Sequence, residues 1–188
     1  MSYREIYFFV EGTDDERFIT AVVKPTISEK YHYFSYQYSG KSTKKIKDFL
    51  KSIKSINFAD YLFLNDINRS PCVTAKKQSL KNRYKPKIDE NKIVIVVKEI
   101  ESWYLSGVDD KTCNALGIKP FQNTNAITKE HFNQLIPKKF DSRIDFMLEA
   151  LKRFDIETAK KKNKSFKYFM EKIEQSLQSN RNVNSSTK

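Results

Sequence analysis

Among 188 residues there are only 4 glycines, 5 prolines, 2 cysteines, 2 histidines and 1 tryptophan. So few glycines and prolines, beside 39% hydrophobic residues, exclude a disordered or low-complexity chain. With only Cys72 and Cys113, a disulfide framework is excluded and a reduced, cytoplasmic setting is expected. No apolar run approaches the roughly 20 residues needed to span a bilayer, so no membrane role is expected. The opening MSYREIYFFVEGTDD meets acidic residues at once and does not resemble a secretory leader. His32 and His131 have no partner set suited to zinc or to a catalytic triad. The single Gly12 after an apolar run lacks the further glycines of a phosphate loop, which argues against small-molecule phosphotransfer.

What the chain does have is aromatic mass, with 14 Phe and 10 Tyr, and a formal net charge of +12. Such a charge favours an anionic partner, and DNA or RNA leads that class. Most lysines look scattered along the chain rather than gathered in one block. The length suits one domain with a core, extended by helices that are too short to form a core of their own.

Four short apolar runs stand out: EIYFFVE, YHYFSYQY, DYLFLND and KIVIVVK. The first, third and fourth are nearly continuous, as in strands covered on both faces. The second alternates and is expected near a sheet edge; that aromatic edge, Tyr31 to Tyr38, leaves a homodimer open. Helical patterns lie between the runs. Thr13 and Glu16 have capping-box spacing ahead of Phe18, Val22 and Val23. Ser42 or Thr43 precedes Ile46, Phe49, Leu50 and Ile53, and Ser70-Pro71 resembles a cap with a first-turn proline. This alternation predicts an α/β fold with a mostly parallel sheet of about four strands over residues 1–106. A helical extension over 107–177 follows, irregular at first. It then shows one stripe of Ile144, Met147, Leu148, Leu151 and Phe154, and another of Phe166, Phe169, Met170, Ile173 and Leu177. The second stripe is expected to pack on the sheet, making 1–177 a single domain, with 178–188 as a flexible tail.

Ligands of open α/β sheets gather beyond the carboxyl ends of the strands. There the sequence places Glu11, then Asp66 and Asn68, then Glu99 and Glu101. Two or three such oxygens suffice for Mg²⁺, which keeps several waters. Each residue also has a plainer reading. Glu11 and Asp15 suit the start of a helix, Asp66 suits a turn, and Glu101 suits a helix surface. Arg69, Lys76, Lys77 and Lys98 follow or flank these acids and could bind phosphates, or could simply be solvated.

EGTDDERF, FLNDIN, EIESWYL and the later NKSFKYF together resemble the Toprim-type proteins of the small DUF4276 group. That group is similar to the Toprim nuclease domains of overcoming-lysogenization-defect-like phage-defence proteins. The resemblance implies a Rossmann-like core with a Mg²⁺-dependent acidic centre, in which Mn²⁺ can substitute. It also implies phosphodiester cleavage, and a partner ATPase or defence-system subunit encoded separately. It puts Glu11, Asp66 and Glu101 in catalytic roles, with Asp66, Asn68, Glu99 and Glu101 as metal ligands. Asp15, by its place among the first-turn acids after Glu11, is a secondary candidate. Trp103 is expected to be buried. Where the family has a second aspartate this chain has Asn68, which offers an oxygen without charge. That departure keeps a non-catalytic binding module open as the alternative.

Overall fold

The structure, a computed structural model, describes residues 4–178. Its centre is a sheet of β1 (Arg4–Val10), β2 (Tyr31–Gln37), β3 (Ala59–Asp66) and β4 (Ile93–Val96), in the order β2-β1-β3-β4. Every neighbouring pair is parallel, with Tyr7 beside both Phe34 and Tyr61, and Asp66 beside Val96. The aromatic, alternating β2 is an edge strand. The nearly continuous apolar runs of β1 and β3 are the two inner strands.

Helix α1 (Thr13–Phe18) runs through a π-helical turn, Ile19–Val23, into α2 (Lys24–Ile27) and covers one face. Its cap lies one residue earlier than the Thr13–Glu16 spacing suggests. Gly12 is the N-cap, and Asp15 rather than Glu16 closes the turn, its Oδ2 accepting from the Gly12 N–H at 3.1 Å. On the other face lie α3 (Thr43–Lys54) and α4 (Val73–Tyr84). Ser42 caps α3 by accepting from Lys45 N. The start of α4 is shifted from the expected Ser70-Pro71 to an N-cap at Cys72. Ile67 donates to Val96 O at 2.9 Å, carrying the ladder one step past β3, and Ser70 N then bonds Ile67 O. Residues 67–71 are spent on that turn.

Beyond β4 come α5 (Glu101–Tyr104), α6 (Asp110–Leu116), α7 (Lys129–Leu135), α8 (Arg143–Lys152), α9 (Ile156–Lys162) and α10 (Lys164–Gln178). As expected, α10 returns to the sheet. Phe166, Phe169, Met170 and Ile173 are buried, and Phe169 stacks on Trp103 and meets Phe8 edge-on. Gln178 closes this helix; the rest of the expected tail and the Leu177 side chain lie outside the described residues. The α8 stripe is corrected. Phe146, Met147 and Ala150 face the core, whereas Ile144 and Leu148 are exposed. Phe146 packs against Phe132 and Phe140, while Arg143 is tied to Asp14 and Glu101, and together these contacts set the rotation of the helix.

One buried polar knot joins extension to core. Trp103 is fully buried and donates from Nε1 to Ser165 Oγ at 2.8 Å. Asn163 donates to Ser102 Oγ and Thr124 Oγ1, and its Oδ1 accepts from Ser165 Oγ and Phe166 N. The Asn-Lys-Ser-Phe segment is therefore a structural clasp that starts α10 against α5. Among the described residues, no helix is long and apolar enough to cross a membrane.

Candidate functional site: a carboxylate crevice at the strand ends

The β1→β2 connection runs over one face of the sheet, whereas the β2→β3 and β3→β4 connections run over the other. The chain thus switches direction between β1 and β3, the place where open α/β sheets form a crevice beyond their carboxyl ends. Glu11 leaves β1 and Asp66 ends β3 on either side of that switch point. A crevice of about 390 Å³ opens there, lined by Glu11, Asp14, Asp15, Asp66, Glu99 and Glu101 among others. Asn68, Ser39 and Lys129 also reach it.

Local structure explains each placement. After β4 the backbone turns at Lys98, which adopts a left-handed φ of 66°, and Glu99 then accepts from the Lys129 N–H at the start of α7. Glu101 opens α5, whose burial is secured by Trp103 two residues on. Asp15 sits on the first turn of α1 and is only 7% exposed. Beneath the crevice Tyr38 donates to Leu64 O at 2.8 Å and accepts from Asn65 Nδ2.

The electrostatics are those of several acids crowded out of water. Burial pushes the Asp66 carboxyl up to about 9, and the charges of Asp15, Glu11, Glu101 and Glu99 add to the effect. Burial likewise lifts Asp15 to about 7, with Glu11 and Glu101 adding to it against the Gly12 N–H. Glu101 is raised by burial too, against the opposing Arg143. Two buried carboxylate oxygens, Glu11 Oε2 and Asp66 Oδ1, have no hydrogen-bond partner. Orphaned acceptors of this kind suit a cation or its water shell. Among the described residues, no three Asp, Glu, His or Cys side chains form a ready-made metal cage. Any ion here would have to keep much of its water.

The basic candidates separate. Burial lowers the Lys76 ammonium pKa against the opposing charges of Glu11 and Asp66, whose field it shares although it does not line the crevice. Lys77 instead turns to the far side of α4, donating to Tyr168 OH at 3.0 Å and lying over that ring. Arg69 and Lys98 are exposed and do not line the crevice. Asn68 is exposed in a left-handed turn, φ 49°, with its amide donating to Asp66 O. Asn tolerates that conformation better than most residues, which supplies a structural reason for it.

Sequence reasoning missed two residues. Arg143 pairs with Asp14 at 2.5 Å and with Glu101, so the extension reaches into the acid cluster. Lys129 arrives at the rim from α7. Both come from the segment whose pattern was irregular or misphased, and no spacing signal linked them to β1 or β3. No family model, curated protein or solved structure matches the chain. The fold and crevice define an α/β protein with an acidic strand-end site.

Proposed function

We propose that the crevice is a Toprim-like acidic centre that hydrolyses phosphodiester bonds of DNA or RNA with Mg²⁺, or Mn²⁺ in its place, in a phage-defence setting. The observation that supports it most is the pair of orphaned buried oxygens, on Glu11 and Asp66, in residues that line one crevice at the switch point of the sheet. Asp66 and Glu101 would hold the cation, with Glu99 and the Asn68 amide oxygen at the rim. A bound cation would supply charge neutralisation at the phosphate and a more acidic water. Glu11 takes the proton of the attacking water at its free Oε2. Lys76, already in the field of Glu11 and Asp66, steadies a phosphate oxygen as negative charge develops there. Arg143 holds Glu101 in place.

A second reading is favoured by one observation, that the position beside Asp66 is held by Asn68, exposed and uncharged, with its amide donating to Asp66 O. In it the module binds nucleic acid or a protein partner, such as a separately encoded ATPase, without cleaving. A cleavage assay on labelled single- and double-stranded DNA and RNA, with Mg²⁺ or Mn²⁺, separates the two. Asp66→Ala and Glu11→Ala are each expected to cut the rate by about 10²-fold or more while circular dichroism stays native. Equal cleavage by wild type and both variants would overturn the assignment of the site.

A further inference from the structure

The fold gathers basic residues that look scattered in the sequence. Residues 41–54 hold six lysines and one aspartate, and residues 69–87 hold seven lysines and arginines and no acid. These two segments alone carry a net +12, and the rest of the chain balances to zero. They are α3 and α4 with their flanking turns. Both helices pack on the same sheet face, α3 through Ile46, Leu50 and Ile53, and α4 through Leu80 and Tyr84. The two helices also contact each other.

Their charges are arranged in rows. Lys44 and Lys51, Lys47 and Lys54, and Lys76 and Arg83 are each seven residues apart, two turns along one helical side and about 10 Å in rise. Lys44, Lys51, Lys54 and Arg83 are exposed. Lys77 and Lys81 are engaged with Tyr168 and Glu90, but among the described residues no lysine of α3 is in an ion pair. The N-terminal ends of both helices lie at the carboxyl ends of the strands, so the basic face runs up to the side of the sheet where the crevice opens, and Lys76 on α4 lies within the field of Glu11 and Asp66.

We propose that the outer face of α3 and α4 is a nucleic-acid-binding surface that holds the sugar–phosphate backbone and leads it to the carboxylate crevice. Unpaired cations at the spacing of successive turns, with no acid between them except Asp48, suit a polyanion read without sequence preference. A membrane surface suits this face less well. A membrane-bound helix needs an outward apolar side, and the apolar side of α3 is buried against the sheet. The inference rests on the nucleic-acid part of the proposed function and not on cleavage.

The test is binding in EDTA, by fluorescence anisotropy of labelled 20-nucleotide single strands and duplexes across a KCl series. The triple variant Lys44→Gln, Lys51→Gln, Arg83→Gln is expected to weaken binding at least about tenfold and to flatten the log–log salt slope by roughly 2 to 3 for the duplex. The control variant Lys111→Gln, Lys119→Gln, Lys138→Gln removes the same charge from the helical extension and should change the slope by less than about 1. Thermal melts establish that both variants are folded. Equal losses in the two triples, or an unchanged slope in the first, would overturn the surface. So would binding to phosphatidylserine vesicles with none to either oligonucleotide. Binding by the wild type and by Asp66→Asn, without cleavage by either, would leave this surface standing and sink the proposed hydrolysis.

Discussion

The carboxyl of Asp66 should make the protein less stable as pH rises, and removing its charge should make it more stable. In the folded chain this group titrates at about 9, against 3.8 for the free side chain, because it is buried and then because Asp15, Glu11, Glu101 and Glu99 surround it. Between those two values the folded state holds a proton that the unfolded state has released. Stability therefore declines as pH climbs from about 4 towards 9, and the group contributes no slope below or above that window. At about 1.4 kcal/mol per pH unit, the span from 3.8 to pH 8 sets a ceiling of about 6 kcal/mol. Asp15, also raised by burial, sits in the same field and takes up part of the proton, so we assign about 2–4 kcal/mol to Asp66 itself at pH 8. Asp66→Asn keeps the shape and abolishes the ionisation. Urea unfolding followed by the fluorescence of Trp103, the only tryptophan and fully buried, provides the assay from pH 5 to 8.5. The variant should exceed wild type by about 2–4 kcal/mol at pH 8, or roughly 6–12 °C in Tm, with the gap closing towards pH 4–5. Millimolar Mg²⁺ should narrow the gap by stabilising only the wild type. A gap that does not vary with pH, or a variant less stable at pH 8, would refute the reasoning. Such a cost in stability is common where acids are crowded for chemistry.

Two further outcomes are expected of the residues that carry the extension. Arg143→Met leaves Glu101 without its ion-pair partner and Asp14 with Arg17 alone, and should cost about 2–3 kcal/mol at pH 7, with a coupling to Glu101→Gln of about 1–2 kcal/mol in a double-mutant cycle; a coupling below about 0.5 kcal/mol would mean the pair is incidental. Asn163→Ala empties the clasp between α5 and α10 and should cost about 2–4 kcal/mol in urea unfolding, whereas Lys164→Ala, one residue along and exposed, should cost under about 0.5 kcal/mol.

Local pattern is enough to read the core of this molecule. The continuous apolar runs EIYFFVE, DYLFLND and KIVIVVK read as strands covered on both faces, and the aromatic alternation of YHYFSYQY as one nearer an edge, because side-chain period and two-sided burial are local properties; that KIVIVVK forms the other edge is set by strand order and not by its pattern. The strand-end acids are legible for the same reason, since a parallel α/β order puts every strand's carboxyl end on one side. Where a helix starts is less legible. Gly12 and Cys72 displace the expected caps by one or two residues, because the ladder past β3 and the Asp15 side chain claim backbone groups that no spacing rule foresees. Ile144 and Leu148 lie on the wrong side of α8 for a related reason. Their apolar spacing is genuine, but Phe146 and Arg143 decide the rotation.

The sequence by itself determined the parallel α/β core, its edge, its aromatic interior and the candidate acids, through hydrophobic periodicity and residue type. Only the tertiary structure decided which charges meet. Strand order brought Glu11 and Asp66 together, α8 delivered Arg143, and α4 sent Lys76 towards the crevice and Lys77 away from it. Packing of α3 beside α4 turned scattered lysines into one basic face. Electrostatic energy depends on distance and burial, and both are set by contacts between segments far apart in the chain.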